Sequence, residues 1–463
     1  MKEIHWLTAK DISENYGLRK LSPVEVTSAL LKRIKELDSK INSFIFVDEE
    51  SAMNSAKEAE KEISLGKFRG SLHGIPIAIK DNIDMVGLAT TCHSKILVDN
   101  IATRDAKIIS QLRSSGAILM GKLALHEFAF GGPTFDGPFP PARNPWNTDH
   151  HPGGSSSGSG AALGAGFVPI TIGTDTAGSI RNPAGACGVA GLKPTYDLVS
   201  RNGVFPLAYT VEHVGPMARS INDIALTMDS IACKETMNVE RYTTENLSYT
   251  NDLNHGVKGL RIGFVRHFHE SDLIADQEVI ASLNEVAGVL KDLGASIEDV
   301  VLPSLQEMQS VEGIIWYSET WAIHKKWLRE RPEDYTQAAR KKLMRGAFLS
   351  AGDYVNAQQC RKIMTDSVNQ VFQDFDVLIT ASSFDPICRI DETEIYARNY
   401  ARQGRSPFNM TGHPALAMMS GICKRGLPLS VQFVGRHFDE KKLFRVAAAY
   451  ESATPWHHKH PQI

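Results

Sequence analysis

From Gly153 to Gly191 the chain is dense in glycine, serine, alanine and threonine. Small side chains permit tight turns and close approach between backbones, so this stretch suits only a fold that crowds its backbone there. On either side, strand and helix signals alternate. Ile75, Ile77, Ala78 and Ile79 form a short apolar run ending on Lys80, which reads as a buried strand delivering one charge at its end. A helical pattern over 105–113 stops before Gly116, and the apolar run Ala117-Ile118-Leu119-Met120 follows as a strand. The order recurs downstream, with a strand over 260–265, a helix capped by Asp276 with Val279, Leu283, Val286 and Leu290 on one face, and a strand over 297–302. Near the start, Ser22-Pro23-Val24-Glu25 has the residues of a capping box, ahead of Val26, Leu30, Ile34 and Leu37 at helical spacing. Alternation of this kind predicts an α/β fold.

The 463 residues allow two to four domains or one large α/β unit. With 42% apolar and 22% charged residues the chain has the composition of an ordinary globular protein. A net charge of −3 offers no basic footprint, so no nucleic-acid partner is expected. Lys10, Asp11, Glu14, Arg19 and Lys20 interrupt the N-terminal region, which therefore lacks the apolar core of an export signal. The weakly polar stretch Ala161 to Gly173 is too short to span a bilayer, so no membrane association is expected. Six cysteines stand singly with no CxxC pair, which predicts neither a zinc site nor a disulfide framework and makes the cytoplasm the expected compartment. The stretch 234–258, rich in Glu, Asn, Thr and Tyr, reads as a surface linker or loop.

Two nucleotide signatures fail. Gly158-Ser159-Gly160 with Gly164 approximates a dinucleotide fingerprint, but no strand signal precedes it, and no Gly-Lys-Ser/Thr ending supplies a P-loop. His126-Glu127 has no second histidine four residues on, His150 and His151 are adjacent, and His457, His458 and His460 fall in a polar tail, so no metal or other cofactor is expected. What remains is Gly153-Gly154-Ser155-Ser156, then Gly173-Thr174-Asp175-Thr176-Ala177-Gly178-Ser179-Ile180-Arg181, then Cys187-Gly188-Val189-Ala190-Gly191-Leu192-Lys193-Pro194-Thr195. Together with Gly74-Ile75-Pro76-Ile77-Ala78-Ile79-Lys80-Asp81-Asn82 and Gly426 to Gly435, these closely resemble the amidase signature family over nearly the whole chain.

The resemblance implies a single large domain over 1–463, with a central mixed β-sheet covered by helices on both sides and a catalytic core over about 65–225. It carries that family's triad onto Ser179 as nucleophile, Ser155 as bridging serine after a cis peptide, and Lys80 as base. Each residue type suits its part, because a serine hydroxyl needs an adjacent base, and lysine serves only when burial depresses its pKa. The implied oxyanion hole is the backbone N–H groups of Thr176, Ala177, Gly178 and Ser179, with Ala177 standing where the family often has glycine. Gly131, Gly132 and Thr134 fall in the loop implied to line the acyl side. Asp175 and Arg181 bracket the nucleophile and are expected to brace its loop.

The family holds free-standing amidases and the glutamine-hydrolysing A subunit of tRNA-dependent amidotransferases. The latter resemblance implies an arginine near 340–346 and an aspartate before Asn409, where this chain reads Arg402-Gln403-Gly404-Arg405. The missing acid favours a free-standing amidase for a small, aryl or acyl amide, a homodimer by resemblance, with the glutamine-hydrolysing component of an amidotransferase as the alternative. Gly313 to Trp321 reads as an aromatic helix that packs in the core and could wall an apolar pocket. Retention of Lys80, Ser155 and Ser179 argues against a catalytically dead scaffold.

Overall fold

The computed structural model describes residues 3–233 and 248–463. Eleven strands form one sheet: β1 (Phe44–Val47), β2 (Pro76–Lys80), β3 (Ile118–Leu123), β4 (Ile170–Asp175), β5 (Ala190–Lys193), β6 (His213–Ala218), β7 (Arg261–Phe264), β8 (Ser296–Asp299), β9 (Val377–Ala381), β10 (Ala415–Ile422) and β11 (Pro428–Gly435). Their spatial order is β1-β3-β2-β4-β6-β5-β10-β11-β9-β7-β8. The sheet is mixed. β3, β2 and β4 run parallel on one side and β8, β7 and β9 on the other, while β6, β5, β10 and β11 join the two groups through antiparallel pairs. Every residue of β2, β3, β4, β5, β6 and β9 is buried. Successive strand side chains point to opposite faces, so burial of all of them means that both faces of the sheet centre are covered.

The expected α/β units appear within a few residues of their predicted limits. Helix Pro23–Ile41 starts where Ser22 Oγ accepts the Glu25 N–H at 3.2 Å, and it ends at Asn42 in the left-handed region. Val26, Leu30 and Ile34 are buried on its inner face. Helix Lys107–Ser114 leads into β3, and helix Gln277–Asp292, capped by Asp276, leads from β7 into β8. Of the predicted linker, residues 234–247 lie outside the described residues. The rest, 248–258, is a run of turns rather than a solvated spacer, because Tyr249, Leu253 and Val257 are buried in the main core. Among the described residues no helix is long and apolar enough to cross a membrane.

Candidate active site

Parallel pairing of β2 with β4 fixes the site. With Ile77, Ala78 and Ile79 opposite Ile170, Thr171 and Ile172, the two strands reach the same sheet edge together and deliver Lys80 beside Thr174. Lys80 is fully buried, and its Nζ donates to Ser155 Oγ at 2.9 Å and to Thr174 Oγ1 at 2.7 Å. Burial in this apolar setting pulls its pKa down to about 7, against the opposing pull of Glu212 and Asp175. Glu212 carries no signal in the sequence; it is buried on the loop before β6, where one oxygen accepts the Leu207 and Ala208 N–H groups.

The glycine-serine segment wraps this lysine. The Gly154–Ser155 peptide is cis, the Ser155 carbonyl accepts the His126 N–H at 3.0 Å, and Gly154 N–H donates to Asn182 Oδ1 at 2.9 Å. The His126 ring lies so close to Gly154 that a Cβ there would sit 1.9 Å from its Cε1. Any larger residue at 154 would thus push that ring away. Ser156 ties the loop to β4 and the turn after it, its N–H donating to the Ser179 carbonyl at 3.2 Å and its Oγ to the Thr174 carbonyl at 3.1 Å.

Ser179 follows β4 on a turn held from beneath by Asp175. That carboxylate accepts from Gly178 N–H at 2.7 Å, Ile180 N–H at 3.1 Å, Arg181 Nε at 3.0 Å, Arg181 Nη2 at 2.9 Å and Asn409 Nδ2 at 2.8 Å. Burial pushes its pKa up, but the Arg181 charge and hydrogen bonds from Arg181 and Asn409 outweigh this and hold it far below the usual carboxylate range. The pair is fully buried, not the surface bracket that the sequence spacing suggested. Arg181 Nη1 reaches further, to the Arg405 carbonyl at 2.8 Å and Gln432 Oε1 of β11 at 2.6 Å, so strand β11 is bolted to the turn that carries Ser179. Gly178 has φ +111°, and a Cβ there would fall 2.2 Å from Arg405 Nε. Its N–H, expected among the oxyanion donors, is donated to Asp175, because the turn directs it back at the carboxylate.

Ser179 and Ala177 open onto a cavity of about 300 Å³. Gly131 lines it, whereas Gly132 and Thr134 line a much smaller cavity that shares only His126 with it. Phe130, Trp316, Tyr317, Tyr396 and Tyr400 give the cavity an aromatic wall. The predicted aromatic helix is part of Leu305–Glu330: Trp316 and Tyr317 face the cavity, while Ile315 packs into a small core with Ala208, Val211 and Ala357. Tyr400 lies on helix Thr393–Ala401, in a stretch of sequence with no signal of its own. Its hydroxyl donates to the Gly154 carbonyl at 3.4 Å and lies in hydrogen-bonding reach of the Ser179 side chain. Two cations also line the cavity. Lys342 Nζ donates to the Phe130 and Gly131 carbonyls, and burial pulls its pKa down to about 8; Arg345 donates to the Tyr317 hydroxyl at 2.8 Å. Arg340 lies outside the cavity lining, donating to the Pro332 carbonyl.

This arrangement has clear relatives. The family model described as Amidase matches residues 25–444. The chain belongs to the Amidase family. It is 35% identical to the A subunit of glutamyl-tRNA(Gln) amidotransferase from Alkaliphilus metalliredigens, over 97% of this chain and 96% of the relative. The solved structure of the corresponding protein from Thermotoga maritima superposes with a TM-score of 0.81 at 31% identity, covering 98% of this chain and 96% of that one. A chain from a vestigial protein complex, described as revealing the evolutionary origins of an s-triazine catabolic enzyme, superposes with a TM-score of 0.89 at 30% identity, covering 96% and 98%. Amide C–N chemistry and the single-domain mixed-sheet fold of this Amidase-family chain are thereby shown. The lean toward a free-standing amidase is not supported. The expectation of a small-molecule amide with no nucleic-acid partner is overturned by relatives named as subunits of a tRNA amidotransferase. The physical reason lies in what that expectation measured: net charge of the whole chain, and one missing acid at one sequence position, neither of which describes a pocket assembled from distant elements.

Proposed function

We propose that this Amidase-family chain hydrolyses the side-chain amide of glutamine as the A-type component of a tRNA-dependent amidotransferase. The observation that carries the reading is the full-length similarity to amidotransferase A subunits, and the presence of Lys342 and Arg345 in the cavity lining supports it by offering charge to the amino acid carboxylate. Ser179 Oγ attacks the amide carbon while its proton passes to Ser155 and the Ser155 proton to Lys80. The developing oxyanion is met by the backbone N–H groups of Thr176, Ala177 and Ser179, with Gly178 keeping the turn in place. Collapse breaks the C–N bond, and the relayed proton returns to the departing ammonia. Water then attacks the acyl-enzyme and regenerates Ser179.

Ammonia release from glutamine, short aliphatic amides and aryl amides tests the reading, with the purified chain alone and with the proteins that co-purify with it. Release from glutamine that vanishes in Ser179→Ala is the expected result, and release only from aryl or aliphatic amides overturns it. The aromatic wall favours that second reading, hydrolysis of an aryl or acyl amide, and the same panel separates the two. Tyr400 enters the mechanism as a positioning residue that keeps Ser179 aimed across the cavity. Tyr400→Phe removes one neutral hydrogen bond, so kcat/KM is expected to fall roughly 2- to 10-fold with the melting temperature nearly unchanged, as read by turnover beside a thermal melt.

A further inference from the structure

An amino acid amide brings two charges into a pocket, and each must find a partner there or stay hydrated. Lys342 and Arg345 line the cavity and offer charge to a carboxylate. The segment before Asn409, where the resemblance to amidotransferase A subunits implies an aspartate, contributes only Gln403 and Ser406 to the lining. Tertiary packing supplies a carboxyl from another element. Glu312, on helix Leu305–Glu330, lines the same cavity as Ser179 and is 2% exposed. Its Oε1 is buried with no hydrogen-bond partner.

The neighbouring cations do not answer it. Arg181 is committed to Asp175, Asn409 and Gln432, and Arg361 donates to the Met410 and Thr210 carbonyls. Gln309, one turn earlier on the same helix, also lines the cavity but gives its side-chain N–H groups to the Ala401 and Gln403 carbonyls. Burial pushes the Glu312 carboxyl well above the usual carboxylate range, outweighing the pull of the nearby Ser406 hydroxyl and the Arg181 charge. An ammonium group arriving beside it would restore the ionised form and fill the open acceptor. A buried acceptor left open in the native state costs stability, and its position on the substrate cavity gives that cost a use.

We infer that Glu312 is the specificity-determining residue of this pocket, accepting the positively charged amino group of the amide substrate while Arg345 and Lys342 face its carboxylate. The inference rests on the amide-hydrolase reading of Ser179. Glu312 takes the place of the aspartate that is absent before Asn409, and it makes the pocket selective for zwitterionic amides over carboxylated amides that lack the amino group.

Glutamine and glutaramate, which is glutamine without its amino group, test this directly. The wild-type protein is expected to favour glutamine in kcat/KM by about 10- to 100-fold, the range for a hydrogen bond to a charged group. Glu312→Gln should erase the preference by raising KM for glutamine far more than for glutaramate, while Glu312→Asp keeps part of it. Calorimetric binding of both amides to folded Ser179→Ala and Ser179→Ala/Glu312→Gln proteins reads the same discrimination without turnover. An undiminished preference in the Glu312→Gln proteins, or a wild type that favours glutaramate, overturns the inference. Turnover of neither amide, with the binding preference still dependent on Glu312, overturns the hydrolase reading and leaves the specificity assignment standing.

Discussion

Lys80→Met is expected to lower kcat by about 10²–10⁴-fold, the usual contribution of a positioned general base. Methionine keeps the length and burial of the side chain but cannot accept the relayed proton, so Ser155 and Ser179 stay protonated. The pH dependence of the unaltered protein carries the same information. Lys80 works as a base only when neutral, and burial pulls its pKa down to about 7, so kcat/KM should rise with pH through that value and level off above it. A profile with no inflection near 7, or a Lys80→Met protein with near-normal turnover, removes Lys80 from the mechanism. Lys80→Arg should be no better than Lys80→Met, since a guanidinium stays charged at every accessible pH.

Asp175→Ala is expected to cost roughly 3–5 kcal/mol of stability, because it leaves the fully buried Arg181 without its charge partner. The Gly178 and Ile180 N–H groups lose their acceptor in the same step, so the nucleophile turn loosens and turnover falls with the melting temperature. An exposed ion pair would have cost about 0–1 kcal/mol, so the size of the drop separates the two cases. The sign with pH is also fixed. Asp175 has a folded pKa depressed below its unfolded value, so its stabilisation is present above about pH 4 and is lost as the pH falls below it. The gap in melting temperature between wild-type and Asp175→Ala proteins should therefore stay constant from pH 7 to about 4 and begin to narrow only below it. A gap that instead closes between pH 7 and 5 would show that Arg181 does not hold the Asp175 carboxylate ionised.

Local elements were legible because their signals are local. Ser22, Pro23 and Asp276 act within one helical turn, and the apolar run before Lys80 has the length and end charge of a buried strand whatever it pairs with. Lys80, Ser155 and Ser179 were legible only through the resemblance of their motifs to the amidase signature family; among the glycines of those motifs, Gly158 and Gly160 stand where a Cβ would meet the Ser43 and Pro183 backbone. Strand order was not legible. Nothing in the sequence of β5 says that it lies between β6 and β10, since that pairing depends on which apolar faces meet after the chain has turned many times.

The pocket marks the boundary between the two. The amino-acid sequence by itself determined the α/β class and the place of Lys80 at a strand end, because these depend on periodicity over a few neighbours, while the resemblance of the motifs around 153–160 and 173–181 pointed to Ser155 and Ser179. Only the tertiary structure decided that Asp175 and Arg181 are a buried pair, that Gly178 N–H serves the turn, that Tyr400 faces Ser179, and that Glu312 and Arg345 line one cavity. Burial and pairing of a charge are set by whatever packs against it. For these residues the packing comes from elements as far apart in the chain as Asp175 and Gln432, and no local pattern records it.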